Sequence, residues 1–152
     1  MRIVLDSGII SALVHSKPSV RKPLAERLKL FQLASPQNVT FLPEIIDYEV
    51  RRKLLHLLIH QQTTPKSIER LDRLPDVMVF VPVDRETFQE AARLWADVRS
   101  RGKPTAPPAA LDVDVILAAQ ARQVGGTVVT TNRKHLDRYV PTIDWTEIPT
   151  TA

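Results

Sequence analysis

Short apolar segments rich in β-branched residues alternate along this chain with longer segments whose apolar residues recur at helical spacing. This alternation is typical of parallel strands, because a helix between two of them carries the chain back across the sheet. The sequence therefore predicts an α/β fold with three layers, α/β/α, around a central and mostly parallel sheet. Strands are expected at residues 2–5, 39–42, 77–83 and 127–131, with a final edge strand at 143–148.

Prolines, glycines and capping residues set the expected ends of the helices. Pro18 and Pro23 predict a break, so the second helix is expected only over residues 24–33, whereas Pro43 should open a long helix. The Gly- and Pro-rich segment 101–108 is the clearest loop. After that loop, Asp112 is expected to cap a helix. Other helices are expected at residues 9–14, 65–74, 84–98 and 132–139.

Length and composition limit the class of protein. With 152 residues the chain can bury a core as one domain, and we expect residues 1–152 to form it, with the last few as a tail. The absence of cysteine excludes disulfides and thiolate metal sites and suits a cytoplasmic compartment. The N-terminus reaches Asp6 too early for a signal peptide, and no apolar segment is long enough to span a membrane. A net charge of +4 is compatible with a polyanionic partner.

Acidic residues stand where predicted strands end and helices begin. Asp6 follows the first strand, and Glu49 lies near the start of the helix after the second. Asp112 and Asp114 open the helix before the fourth strand, which Asn132 follows. Because strand carboxyl ends and helix amino ends share one edge of such a sheet, we expect these side chains to meet there.

Clustered carboxylates repel one another unless a cation neutralises them. Oxygen ligands with room for water suit Mg²⁺ or Mn²⁺, and such an ion can activate water and stabilise charge on a phosphoryl oxygen. The pattern therefore favours phosphodiester hydrolysis. Basic residues near these acids in the sequence would attract a phosphate backbone, namely Arg51, Arg52, Lys53, Lys103, Arg133 and Lys134.

The arrangement resembles the PIN-domain family, which includes the VapC toxins of bacterial toxin–antitoxin pairs. The resemblance rests on residues 3–7, 45–53, 114–121 and 128–136, and so extends over nearly the whole chain. It implies a Mg²⁺- or Mn²⁺-dependent endoribonuclease whose catalytic, metal-binding acids are Asp6, Glu49 and Asp114. It also implies an RNA substrate, a small antitoxin partner and a homodimer. Accessory positions would be Ser7, Asp112, Thr131 and Asn132.

The chain departs from the family pattern at two positions. Gly8 occupies a place where a polar residue, often Asn, is common. Asn132 stands where a fourth acid often follows the last core strand, and His135 comes three residues later. An Asn side chain can accept a hydrogen bond from a metal-bound water but brings no charge. The number of metal ions is therefore left open.

Several of these residues also have ordinary structural interpretations. Asp112 is better explained as a helix cap than as a ligand, whereas Asp114 is better explained as a ligand, and Asn132 could equally well start the following helix. His56 and His60 lie four residues apart and could bind zinc, but neither a Glu base nor a third ligand is evident.

Two other functions are compatible with the sequence. A phosphoryl-transfer enzyme could use Asp6 as its nucleophile, although the chain lacks the second Asp two residues later that aspartate-nucleophile phosphatases use. An RNA- or protein-binding module with a weakened site would explain Asn132. Trapping of a phosphoryl-aspartate would favour the first alternative, and RNA binding without turnover would favour the second.

Overall fold

A computed structural model of the chain describes residues 1–102 and 108–152, with only the backbone described for residues 108–111. Five strands form one sheet in which all paired neighbours run parallel. The strands are β1 (Arg2–Leu5), β2 (Val39–Pro43), β3 (Val79–Val81), β4 (Thr127–Val129) and β5 (Thr142–Ile143). The predicted α/β fold with a parallel sheet is therefore confirmed.

Helices flank this sheet, and none within the described ranges is long and apolar enough to cross a bilayer. The α-helices are α1 (Ser7–Leu13), α2 (Pro18–Ala34), α3 (Glu44–Ile59), α4 (Lys66–Arg73), α5 (Arg85–Ser100), α6 (Pro108–Gln123) and α7 (Arg133–Leu136). Two short 3₁₀ turns lie at Leu74–Asp76 and Trp145–Glu147.

The strand order is β3-β2-β1-β4-β5, which places β1 at the centre. From β1 the chain first builds one side of the sheet, with β2 and β3, and then returns to build the other side, with β4 and β5. Where the direction of winding changes, the loops after β1 and β4 diverge and leave a crevice at the carboxyl edge. This crevice is the expected place for a ligand.

The core lies around the central strands. Ile3, Val4 and Leu5 of β1 are fully buried, as are Val128 and Val129 of β4. Burial on both faces explains why these strands are continuous apolar runs without polar alternation. The centre of the sheet is therefore a rigid support for the residues that follow β1 and β4.

Helix α2 is longer than the sequence predicted. It begins at Pro18 and runs through Pro23, so the predicted break at these residues is wrong. Pro18 occupies the first turn, where its missing N–H has no helical partner. Pro23 lies in the second turn, where it removes a single hydrogen bond, and Leu28 and Phe31 further along are buried in the core. The free energy gained by burying Leu28 and Phe31 outweighs the loss of this one hydrogen bond.

Helix α6 also begins earlier than predicted. It starts at Pro108, so Asp112 lies within the helix and the prediction that it caps the helix is wrong. Proline is favoured at a first helical position, and the Ala109-Ala110-Leu111 segment that follows has high helix propensity. Strand β3 is shorter than the predicted 77–83, and the final strand ends at Ile143 before a 3₁₀ turn.

Candidate active site

Asp6 lies at the carboxyl end of β1, in the crevice beside β4. Its backbone N–H donates to the carbonyl of Val129, at 3.1 Å. Its carboxylate caps α1 by accepting a hydrogen bond from the Ser7 N–H at 2.7 Å, and its other oxygen accepts one from the Thr130 hydroxyl at 2.6 Å. Asp6 is thus both a helix cap and a fixed carboxylate in the crevice, since each oxygen keeps a further lone pair.

Thr130 holds this part of the site together. Its side chain is fully buried, and its hydroxyl donates to Asp6 while accepting from the Asn132 N–H at 2.9 Å. The neighbouring Thr131, which the sequence indicated as an accessory residue, is exposed. Both threonines follow directly after β4, and the sequence did not say which of them would face Asp6.

Glu49 lies in the second turn of α3 with only 16% of its side chain exposed, 3.7 Å from the Lys53 ammonium. The start of this helix is held by Gln120 of α6, which is completely buried. Gln120 accepts a hydrogen bond from the Ile45 N–H at 3.2 Å and donates one to the Val81 carbonyl at 2.7 Å. Helix α3 is thereby tied to both α6 and β3. A polar residue inside the apolar run 115–121 was the only sequence signal for this role.

Asp114 lies half-buried in the second turn of α6, where it is influenced by the other acids. Its pKa is raised to about 6, chiefly by burial and also by the negative charges of Asp6 and Glu49, whereas the positive charges of His135 and Arg138 act in the opposite direction. Asp6 and Glu49 are therefore each close enough to act on the charge of Asp114, although the three residues come from distant parts of the chain.

Two predicted accessory residues make no described contact with the three acids. Asp112 is exposed, and it lines an apolar hollow between α5 and α6 with Phe88 and Trp95. Asn132 occupies the position before α7, but its exposed side chain makes no capping hydrogen bond. At Gly8, an added Cβ would lie 3.3 Å from the Thr131 hydroxyl, so a larger residue would crowd this edge.

The three acids at the crevice carry ligands for a metal ion but do not form a closed cluster. Among the described residues, no three His, Cys, Asp or Glu side chains converge closely enough to hold an ion. Asp6, Glu49 and Asp114 thus interact through their charges without forming a finished ligand cluster. Carboxylate oxygens are nevertheless the ligands that Mg²⁺ and Mn²⁺ prefer, and a divalent cation would relieve the repulsion at Asp114. The chemistry of the three carboxylates therefore suits such an ion.

Two of the basic residues predicted to hold a phosphate backbone are engaged within the protein. Arg51 forms ion pairs with Asp47 and Asp72, at 2.9 and 2.8 Å, and the hydrogen bond to Asp47 raises its pKa. Arg133 donates to the carbonyl and hydroxyl of Thr142, each at 3.2 Å. These two guanidinium groups therefore support the fold.

The other predicted basic residues that the structure describes are exposed and have fewer partners. The Arg52 guanidinium lies 5.2 Å from the centre of the Tyr48 ring, and Lys53 is near Glu49. Lys134 is exposed on α7. Lys103 lies outside the described residues. His135 and Arg138, which the sequence did not single out as cations of the site, are the basic groups that influence Asp114.

Comparisons with known proteins agree with this geometry. The family model described as the PIN domain matches residues 3–140. Similar solved structures include VapBC-1 from nontypeable Haemophilus influenzae, with 21% identity, a TM-score of 0.69 and coverage of 97% of this chain and 100% of that one. VapBC2 from Rickettsia felis, bound to a DNA fragment from their promoter, has 16% identity and a TM-score of 0.67, with 95% and 99% covered. FitAcB from Neisseria gonorrhoeae has 21% identity and a TM-score of 0.65, with 95% and 99% covered. At these identities the likeness shows a shared fold. A comparison with curated proteins finds no match.

Proposed function

Because this chain belongs to the PIN-domain family of nucleases, we propose that it is a Mg²⁺- or Mn²⁺-dependent endoribonuclease and the toxin of a toxin–antitoxin pair. The observation that carries this proposal is the charge interaction among Asp6, Glu49 and Asp114 at the crevice. Mutual repulsion of carboxylates is unfavourable without a cation, so an arrangement that creates it is typical of a functional site.

Hydrolysis joins a water oxygen to phosphorus while the bond from phosphorus to the leaving ribose oxygen breaks, and that oxygen gains a proton. A bound divalent cation would supply a water of lowered pKa and would stabilise charge on the phosphate. Asp6, with both oxygens oriented by hydrogen bonds, and Asp114 would be the central ligands of the ion. Glu49 would hold the ion or its water.

The exposed basic residues would hold the RNA backbone. Arg52, Lys53 and Lys134 are the predicted contacts that remain accessible, whereas Arg51 and Arg133 are held by internal partners. Each phosphate contact that is lost should lower the salt dependence of binding by about one unit of slope. Substitution of Lys134 by Gln should therefore reduce that slope.

A cleavage assay tests the proposed activity. A mixed RNA pool is incubated with Mg²⁺ or Mn²⁺ and the native chain, Asp114→Asn or the control Asp76→Asn. Asp76 is an exposed carboxylate in the first 3₁₀ turn, outside the proposed site. We expect cleavage by the native chain and by Asp76→Asn, and at least a hundredfold less by Asp114→Asn, since an essential metal ligand contributes several kcal/mol. Equal cleavage by all three, or cleavage that survives chelation, would contradict the metal mechanism.

A binding module is the second candidate, and one observation favours it. The described residues do not form a ready-made metal site, and Asn132 brings no charge where a fourth acid is common. This alternative predicts RNA binding with no turnover under any divalent ion. Sequencing the ends of the RNA products would separate true cleavage from a contaminating nuclease.

We also propose that a small antitoxin binds in a groove formed by α1, α2 and α4. The family resemblance implies such a partner, and the similar structures named above include VapBC-1, and VapBC2 bound to a DNA fragment from their promoter. The groove has a volume of about 540 Å³ and no acidic residue among its described lining. Its floor is apolar and its rim is basic, with Arg21, Lys22, Lys29, Arg70 and Arg73. An amphipathic segment with acidic flanks would complement both.

Co-purification tests this partner. The product of the adjacent reading frame is co-expressed with the native chain, with Lys22→Glu combined with Lys29→Glu, and with the control Arg85→Glu on α5. We expect the double substitution to weaken the complex at least tenfold and the control to leave it unchanged, because reversed charge removes attraction and adds repulsion. Equal retention by all three would contradict this docking site.

The proposed RNA substrate and antitoxin also lead us to propose a cytoplasmic location.

A further inference from the structure

Helix α3 carries a row of planar side chains on its exposed surface. Tyr48, Arg52, His56 and His60 are spaced four residues apart, and all four are exposed. Residues at this spacing are neighbours on a helix, so these side chains follow one another along its length and together form the α3 row. The row begins beside Glu49, one of the three acids of the candidate site, and extends for about 18 Å, since a helix rises about 1.5 Å per residue.

The contacts described for these four side chains are with one another. The Arg52 guanidinium lies over the Tyr48 ring, 5.2 Å from its centre. The His56 and His60 rings meet edge to face, with their centres 4.5 Å apart. By contrast, the neighbouring Arg51 is held by two ion pairs. The aromatic and cationic groups of the α3 row are therefore available to a ligand and are not used to hold the fold together.

The dimensions of the α3 row suit a strand of nucleotides. Successive members of the row are about 6 Å apart along the helix, which is comparable to the separation of neighbouring nucleotides in an extended single strand. A hollow of about 440 Å³ opens in the middle of the row, with Arg52, Lys53, His56 and Leu57 in its lining. This hollow has room for a nucleobase.

The chemistry of the α3 row favours single-stranded RNA as the ligand. Unpaired bases stack on tyrosine and histidine rings and on the plane of an arginine guanidinium, whereas the bases of a duplex are stacked on one another. Arg52 and the adjacent Lys53 add positive charge for the phosphates. None of the four members of the row is acidic, so nothing in the row itself would repel a nucleic acid.

We propose that the α3 row binds the unpaired bases of an RNA strand whose phosphate lies at the candidate active site, so that the substrate is single-stranded. The inference rests on the proposed nuclease function and adds a specificity-determining surface to it. Tyr48 would stack on the base nearest Glu49, and the two histidines would contact bases further along the strand. Loss of a ring should therefore weaken binding to the bases and leave binding to the sugar-phosphate backbone unchanged.

The affinity of Tyr48 variants for two strands tests this inference. One strand is a short single-stranded RNA and the other is a strand of the same length that lacks its bases, and both are measured in chelator to prevent cleavage. Tyr48→Leu keeps an apolar side chain but removes the ring, and Tyr48→Phe restores a ring. Phe80→Leu, at another exposed aromatic residue on the edge strand β3, is the control.

We expect Tyr48→Leu to bind the RNA about tenfold more weakly than the native chain and to bind the base-free strand equally well, because the stacking of one base is lost. Tyr48→Phe should recover most of the affinity, and the control should match the native chain on both strands. His56→Leu combined with His60→Leu should also lose about tenfold on the RNA alone. A duplex of the same sequence should bind the native chain about tenfold more weakly than the single strand.

The outcomes separate this inference from the proposed function. Equal affinity of the native chain and Tyr48→Leu for the RNA would overturn it, as would an equal loss on the base-free strand, which would show that Tyr48 acts through the fold or the backbone. Unchanged RNA affinity with a changed sedimentation mass would instead assign the α3 row to a contact between copies of the chain. If the native chain cleaves no RNA with any ion, the nuclease proposal fails, and the measurements in chelator still decide whether the row binds bases.

Discussion

At the scale of single residues, the buried position of Asp114 lowers the stability of the protein, although the proposed function needs a carboxylate there. Its pKa in the folded chain is about 6, above the ordinary value of 3.8, chiefly because it is buried. When such a carboxyl is protonated, it favours the folded state. This contribution is complete below the pKa that the group has in the unfolded chain, and it is lost as the pH rises through the pKa that it has in the folded chain. At neutral pH the charged Asp114 therefore destabilises the metal-free protein.

Asp114→Asn should for this reason raise the Tm of the metal-free protein at neutral pH and make it less dependent on pH between about 4 and 6. Thermal denaturation in chelator checks this, with Asp76→Asn as the control. Added Mn²⁺ should then raise the Tm of the native chain but not that of Asp114→Asn, because an ion that binds only the folded state stabilises it. The same pH dependence in both chains would contradict the prediction.

Thr130 and Thr40 provide a matched pair of buried threonines. The Thr130 hydroxyl bonds both Asp6 and the Asn132 N–H, whereas the Thr40 hydroxyl is buried without a partner. Replacement by Val keeps the shape and removes the hydroxyl. Thr130→Val should lower the free energy of unfolding by about 1–3 kcal/mol, and Thr40→Val should be neutral or stabilising. Urea denaturation measures both, and equal effects would show that the hydrogen bonds of Thr130 contribute little.

At the scale of elements, α2 tolerates a proline in its second turn. Pro23→Ala would restore an N–H donor for the carbonyl of Ser19 and remove a steric clash. A proline inside a helix lowers stability by about 3 kcal/mol relative to alanine. Proline also makes the unfolded chain stiffer, which offsets about 1 kcal/mol of this cost. Pro23→Ala should therefore raise the free energy of unfolding by about 1–2 kcal/mol. Pro18→Ala in the first turn should give no gain. Chemical denaturation measures the free energy of unfolding of both variants. Equal changes would mean that the cost of a proline does not depend on its position in the helix.

The types of the elements followed from the sequence more readily than their ends. Apolar periodicity identified the helices and strands, because burial decides which side chains face the core. Helix starts were harder to predict: Pro23 was interpreted as a break and Asp112 as a cap, although α2 and α6 begin earlier. A local signal favours an end, but burial of the next apolar residues can outweigh it.

At the scale of the whole molecule, the family resemblance predicts a homodimer. The apolar hollow between α5 and α6 is a candidate interface, because Phe88 beside it is 57% exposed. Sedimentation should give twice the 17.2 kDa mass of the chain, and Phe88→Asp should give the single mass. Leu33→Asp, at another exposed apolar position on α2, is the control. Dissociation by the control alone would place the interface on α2.

The candidate site was predictable in part, for a reason that applies to the whole fold. Parallel topology places Asp6 and Asp114 at the same edge of the sheet, so alternation of strands and helices was enough to predict that edge. The strand order, which makes β1 and β4 neighbours, was not predicted. Partners distant in sequence were not predictable in this way. Asp47 lies one helical turn before Arg51 and could be anticipated, but Asp72 comes from another helix. The effect of His135 on Asp114 likewise depends on packing that no local pattern encodes.

The hydrogen bond between Asp6 and Thr130 joins residues 124 positions apart. The orientation of this carboxylate therefore depends on the pairing of β1 with β4, which places Thr130 beside Asp6. A fragment that stops before residue 127 would keep Asp6 and its cap on α1 but lose the hydroxyl that fixes its second oxygen.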